Sequence, residues 1–404
     1  MKAKKIVTVI CCLFVQLFVG ILYLWSIFKA NVSAYYGMSA SNCNMVQSIM
    51  MFGFVLGNLL GGYLQDRFNA RLSATIGVIT FSAGVLVTAF VPASANFLVY
   101  VTYGAVGGLG CGITYGSVLS CLQKWFPTKR GFASGLSVSA FGFSTVVFAP
   151  VAKWLMNMFD GNMMWTFLSL GGLFLILGTV CCLFISAPAA ESDVAAVGKF
   201  LTPKDTLKES RFWIIALTLF FVNATWNIVC PIIYDLGVAR GLSAESATLL
   251  LSLTGVFSAV GRLSMATVSD KLGRTATVTI LAVLTGICAA ALIFAGNGLF
   301  FVVVLLVAFG YGGPSAILPA LTTDLCGSKY SGTNYGMAML GLGFSSLAFN
   351  GISTALVGGS GDYTLSFVIA AVTAVISVGL MFAFKTITDK KNRALSNSDE
   401  AKTV

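Results

Sequence analysis

Arg262 is the residue whose chemistry its neighbours in sequence least explain. Every other side chain from 246 to 268 is uncharged, and most are apolar. In a stretch that crosses a bilayer, a charge costs about 2.5–3.5 kcal/mol on insertion scales, so such residues face a cavity rather than lipid. Arginine in a cavity suits a carboxylate, because its planar fork donates two parallel hydrogen bonds. The bland alternative is an arginine that snorkels to the water surface from near the end of its span. No proton relay accompanies it. The chain has no histidine, and the position one turn before Arg262 is Ser258. The aspartates lie at span ends, with Asp66, Asp270 and Asp324 on one side and Asp160, Asp235 and Asp362 on the other. Arginine does not usefully release a proton. A conventional proton relay is therefore not expected in this stretch.

The remaining reactive residues assemble neither a catalytic nor a metal site. The ten cysteines include the adjacent pairs Cys11–Cys12 and Cys181–Cys182, both inside apolar runs, and none has Cys-x-x-Cys spacing. Neither a metal centre nor a disulfide framework is expected. With no nucleophile–base arrangement either, an enzyme is the reading least supported, and no cofactor is implied.

The elements that must position Arg262 are membrane spans. The chain is 57% hydrophobic and 9% charged, against about 25% charged in soluble domains. A span takes about 20 apolar residues. Such runs recur near 6–29, 45–66, 73–92, 96–120, 131–155, 163–186, 211–234, 245–268, 276–296, 298–323, 332–357 and 363–385. The expected fold is an all-α membrane protein with twelve transmembrane helices in two pseudo-symmetric six-helix bundles. The first run follows Lys2, Lys4 and Lys5, is long enough to span and lacks a clear cleavage site, so it reads as a helix rather than a signal peptide.

The net charge of +10 is distributed as a topology signal. With the N-terminus inside, 20 of the 24 Lys and Arg residues fall in cytoplasmic segments, and only Lys29, Lys153 and Arg240 fall outside. That asymmetry puts both termini in the cytoplasm and speaks against a nucleic-acid partner. The expected organisation is an N-terminal bundle over 1–186, a polar cytoplasmic linker over 187–210, a C-terminal bundle over 211–388 and a disordered cytoplasmic tail over 389–404.

The two halves repeat. An offset of 204 places Gly37-Met38-Ser39-Ala40 on Gly241-Leu242-Ser243-Ala244, Gly57 on Gly261, Asn58 on Arg262 and Asp66 on Asp270. An offset of 201 places Gly131 on Gly332, Gly135 on Gly336 and Gly142-Phe143-Ser144 on Gly343-Phe344-Ser345. Parallel repeats of this kind belong to alternating-access carriers that hold substrate at the midplane between halves.

The loop Gly61-Gly62-Tyr63-Leu64-Gln65-Asp66-Arg67-Phe68-Asn69-Ala70-Arg71 resembles the signature loop of the major facilitator superfamily, and Ser269-Asp270-Lys271-Leu272-Gly273-Arg274 is its counterpart. An aspartate at a helix C-terminus is repelled by the carbonyl dipole and needs another partner. The starts of helices eleven and five, on the same side, can supply one. We therefore expect a gating group of Asp66, Arg67, Arg71, Asp270, Lys271 and Arg274 that latches the cytoplasmic ends of the bundles.

A narrower resemblance follows helix four. Lys124-Trp125-Phe126-Pro127-Thr128-Lys129-Arg130-Gly131-Phe132-Ala133-Ser134-Gly135 is similar to the matching stretch of oxalate:formate antiporters and bacterial monocarboxylate carriers, as are Arg211-Phe212-Trp213 and Asn334-Tyr335-Gly336. The resemblance implies that Arg262 binds a substrate carboxylate, with Tyr23, Tyr115 and Tyr311 as pocket aromatics. For each tyrosine, packing or an interface belt remains the alternative. Where those antiporters carry a second cation in helix eleven, this chain has Leu342. Where they have a tyrosine in helix five and a glutamine in helix one, it has Phe141 and Leu22. A dianion would keep one charge uncompensated, at several kcal/mol, so a singly charged substrate is expected. Asn44, Asn223 and Asn227 are further polar candidates, with helix–helix bonding as their alternative.

The leading expectation is thus a monomeric carrier of formate-, lactate- or pyruvate-type anions in a bacterial inner membrane, working by exchange. The alternatives are a proton-coupled symporter, an oxalate:formate exchanger, a carrier of another small solute, or a membrane sensor that binds a carboxylate without transporting it.

Overall fold

The computed structural model describes residues 2–188, 200–357 and 363–403, and all regular structure in them is helical. Twelve long helices succeed one another. The first bundle holds α1 (Lys2–Tyr36), α2 (Ala40–Arg67), α3 (Ala70–Ala89), α4 (Tyr100–Trp125), α5 (Arg130–Met158) and α6 (Met163–Leu183). The second holds α7 (Ser210–Val229, running on as Ile233–Ala239), α8 (Ala244–Leu272), α9 (Arg274–Phe294), α10 (Asn297–Cys326), α11 (Ser331–Val357) and α12 (Thr364–Thr403). Eleven are long and apolar enough to cross a membrane on their described residues. The other, α11, has 27 residues, more than the roughly 20 a span needs. The fold is the expected one.

The repeat seen in sequence is a repeat of helix ends. Gly37 and Gly241 close α1 and α7 with φ of 63° and 89°, a backbone conformation that a Cβ disfavours. Each is followed by a bond reaching back five residues, Met38 N–H to Ser33 O and Leu242 N–H to Gly237 O, the pattern that terminates a helix at glycine. One residue later Ser39 and Ser243 accept from the N–H of Asn42 and Ser246 and start α2 and α8. The same four-residue chemistry therefore turns the chain at the same place in both halves.

Within the first bundle α2 packs on α4, and within the second α8 packs on α10. Across the seam between bundles α2 packs on α11 and α5 on α8. The helices run further than hydropathy indicates. α8 ends at Leu272 and α4 at Trp125, and the first eight residues of α4, Tyr100–Gly107, are wound as a π-helix. α1 carries a 3₁₀ turn over Gly20–Leu24, and α7 one over Cys230–Ile232.

Across the described part of the 389–404 tail, α12 continues unbroken to Thr403. That extension contains neither glycine nor proline, so no residue type stops the helix, and Lys391 Nζ pairs with Glu209 at 2.7 Å. Of the 187–210 linker, residues 189–199 lie outside the described residues. The part near α7 contains a short helix, Pro203–Thr206, capped by Thr202. It is tied to the second bundle by Leu201 N–H donating to Cys326 O at 2.8 Å.

Candidate functional site

A cavity lies on the seam, walled by both bundles. Its volume is about 30 Å³, and since one water centre needs about 10–15 Å³, the space suits a solute of a few heavy atoms. The first bundle lines it with Tyr23, Phe54, Tyr115, Val138 and Phe141. The second contributes Leu219 and Asn223 from α7, Arg262 from α8, Tyr311 and Ser315 from α10, and Tyr335, Met339 and Leu342 from α11. Arg262 is the single charged side chain among these lining residues.

Arg262 stands ten residues before the end of α8 and is 4% exposed. It does not snorkel. Its Nη1 donates across the seam to Val138 O on α5 at 3.3 Å, while Nε has no hydrogen-bond partner among the described residues. Its Cζ sits 6.0 Å from the Tyr23 ring centroid and 5.8 Å from that of Tyr311, within range for cation–π attraction. The electrostatic neighbours of the guanidinium are Tyr23, Tyr311 and Tyr115. A buried cation held by one carbonyl and three aromatic hydroxyl-bearing rings is short of a counter-charge, and an anion would supply it.

Phe141 organises the wall opposite. Its ring meets Tyr23 at 5.3 Å and Tyr115 at 5.1 Å, both edge-on, and stacks on Phe54 at 5.7 Å. Trp226 backs Tyr311 in a stacked pair at 5.0 Å. The structure thus brings together Arg262, Tyr23, Tyr115, Tyr311, Leu342 and Phe141. It does not bring Asn44 or Asn227 into the lining. Asn44 is exposed on α2, and Asn227 Nδ2 donates to Ser345 Oγ at 3.1 Å, the helix–helix alternative. The asparagine that lines the cavity is Asn223, whose Oδ1 has no partner among the described residues. It sits at the break between the Ser210–Val222 and Ala224–Val229 segments of α7. Tyr335 lines the cavity too, although sequence reading assigned it no site role and quoted it only within the Asn334-Tyr335-Gly336 motif.

At the basic ends of the helices, two carboxylates close the seam. Asp66 Oδ2 accepts from Thr333 N at 2.8 Å and Thr333 Oγ1 at 2.7 Å, so it caps the start of α11. Asp270 accepts from Gly131 N at 3.0 Å and Phe132 N at 2.9 Å, capping the start of α5. A carboxylate at a helix N-terminus meets unsatisfied N–H groups and a favourable dipole. The two caps differ in their charges. Asp270 pairs with Arg274 at 2.6 Å, and Arg274 and Arg130 share Asp324 at 3.1 and 2.9 Å. Arg67 instead meets the Tyr63 hydroxyl at 2.7 Å, Arg71 donates to Ile185 O at 3.1 Å, and Lys271 is exposed.

Between these caps and the cavity the bundles are joined by uncharged groups that sequence reading did not single out. Gln65 Nε2 donates to Ser120 Oγ at 2.9 Å, which meets Ser331 Oγ at 2.7 Å. Thr323 Oγ1 donates to Gln123 Oε1 at 2.7 Å, and Gln123 Nε2 to Ser134 Oγ at 2.7 Å. The seam is therefore shut on its basic side.

Comparison with known proteins agrees with this architecture. The family model described as Major Facilitator Superfamily matches residues 8–349 and 215–403. The chain is 26% identical over 370 residues to the oxalate:formate antiporter of Oxalobacter formigenes, covering 89% of this chain and 86% of that protein. It is 24% identical over 404 residues to monocarboxylate transporter 12 of Xenopus laevis, covering 91% and 85%. Among solved structures it is similar to FucP, a transporter in the outward conformation, with a TM-score of 0.75 at 13% identity over 94% of this chain and 99% of that one.

Proposed function

The chain belongs to the major facilitator superfamily, and from that premise we propose that it carries small monocarboxylate anions of the formate, lactate or pyruvate kind by alternating access, in exchange for another anion. It is a multi-pass membrane transporter and not an enzyme. The observation that carries the substrate reading is the isolation of Arg262, the one charge in a cavity otherwise lined by four tyrosines and uncharged side chains. One fixed positive charge balances one carboxylate and leaves the second charge of a dianion unpaired. Its similarity to the oxalate:formate antiporter and the monocarboxylate transporter supports the same class.

In this reading the guanidinium binds the carboxylate through its fork. The hydroxyls of Tyr23, Tyr115 and Tyr311 orient it and their rings exclude water. The Asp66 and Asp270 caps hold the cytoplasmic end closed while substrate enters from outside, and their release opens the other side. The basic asymmetry supports cytoplasmic termini in a bacterial inner membrane. One chain supplies both walls of the cavity, which supports a working monomer.

The test is anion binding to purified protein, followed by exchange of labelled anion in proteoliposomes. Wild type should be thermally stabilised by formate, lactate or pyruvate. Arg262→Lys, which keeps the charge and loses the fork, should bind more weakly, and Arg262→Ala should not bind. Undiminished binding by Arg262→Ala would remove the carboxylate assignment. Binding without uptake of label would leave a sensor instead of a carrier.

A further inference from the structure

The seat of Arg262 lies on the opposite bundle. In an α-helix the carbonyl of residue 138 faces the N–H of residue 142. Because Cα–Cβ bonds tilt toward the helix N-terminus, a side chain at 142 covers the turn that holds that carbonyl. Here residue 142 is glycine, and the uncovered Val138 O accepts from Arg262 Nη1 at 3.3 Å. A Cβ built on Gly142 would collide with Arg262 Nη1 and stand 3.3 Å from Cζ and 3.9 Å from Ala259 Cβ. With Nη1 held by α5, the unpartnered Nε is left for a ligand.

The pseudo-symmetric seam lacks this arrangement. Gly343 of α11, the repeat partner of Gly142, would place a Cβ 3.1 Å from the Val55 side chain, and the repeat partner of Arg262 is Asn58. Neighbouring bonds join α5 to α8 on either side of the seat, Ser139 Oγ donating to Ala259 O at 2.9 Å and Asp270 capping α5.

We propose that Gly142 is a positioning residue. By leaving the Val138 carbonyl bare it gives Arg262 a seat on α5, and the seat sets the guanidinium's orientation for anion binding while α5 and α8 are closed on each other. The proposal deepens the carrier reading and rests on it for the ligand. When the two helices part, Arg262 loses the carbonyl, so its geometry toward the anion is tied to the state of the seam.

The experiment is a double-mutant cycle on the full-length protein. Gly142→Ala is made in wild type and in Arg262→Met, which keeps the bulk of the stem and removes the fork. Arg262→Lys is the second background should Arg262→Met not fold. Gly172→Ala, with nothing within 4 Å of its added Cβ, is the control. Two readouts are taken, the thermal midpoint without anion and calorimetric binding of formate, lactate and pyruvate. Gly142→Ala should weaken binding of whichever anion wild type takes by about tenfold or more, and should lower the midpoint in wild type. In Arg262→Met it should leave the midpoint unchanged, because no guanidinium remains for the methyl group to displace. Wild-type affinity in Gly142→Ala overturns the proposal. So does an equal loss of midpoint in both backgrounds, the result of packing alone. If wild type binds none of the three anions, the carboxylate reading fails by itself, and the thermal cycle still decides whether the seat exists.

Discussion

On the proposed reading of a monocarboxylate cavity, Leu342→Lys should make it take dicarboxylates. Leu342 on α11 and Arg262 on α8 line the same cavity. At about 30 Å³ it has room for roughly two or three water centres, so a dianion cannot keep its hydration shell there. On that reading the second carboxylate of oxalate is stranded in wild type, at a cost of several kcal/mol. A lysine ammonium at 342 would donate a charge-assisted hydrogen bond contributing about 1.5–3 kcal/mol. At about 1.4 kcal/mol per factor of ten, the affinity ratio of oxalate to formate should rise roughly 10- to 100-fold. Calorimetry with both anions on both proteins gives the ratio directly. An unchanged ratio would refute the reasoning. Either α11 would not present position 342 to the ligand, or the number of fixed charges would not set selectivity.

Three further outcomes are expected. Asp270→Asn should open the basic end of the seam more than Asp66→Asn does. Asp270 accepts two backbone N–H groups and also pairs with Arg274, and each charge-assisted bond contributes about 1.5–3 kcal/mol. Thiol labelling of a cysteine at Ser120, buried between α4 and α11, should rise about tenfold or more in Asp270→Asn. No rise in either variant would count against the latch. At the start of α7, Arg211 and then Lys391 hold the Glu209 carboxyl down at about 2, against the opposing effect of burial. A carboxyl depressed in the folded state contributes stability that is complete above its ordinary value near 4.5 and is lost as pH falls toward about 2. The thermal midpoint should accordingly drop between a pH of about 5 and about 3, less so in Glu209→Gln, and parallel curves would show that Glu209 is not responsible. Finally, proteoliposomes loaded with unlabelled formate should take up labelled formate with no imposed pH gradient. Electrically silent uptake that needs the gradient and moves one proton per anion would contradict exchange.

The order of hydrophobic runs, the basic asymmetry and the Gly-x-Ser turns at 37–39 and 241–243 are local or one-dimensional properties. They determine twelve helices in two related halves. Arg262 was legible for the same reason, since a charge in an apolar span has few uses. Helix ends were less legible, because hydropathy stops at the lipid boundary while the helix stops where its bonds do. α8 runs on to Leu272 and α12 to Thr403.

What faces the cavity could be decided only by tertiary structure. Asn223 and Asn227 are one turn apart in sequence, yet the first lines the cavity and the second bonds Ser345. Asn44 shares α2 with Phe54 but is exposed. Sequence shows Gly142 as one of many repeated glycines. It becomes the space beside a guanidinium only when α5 docks on α8 from the other half of the chain. Periodicity encodes which face of a helix is apolar. The pairing of that face with a particular residue some 120 positions away depends on how the two bundles meet.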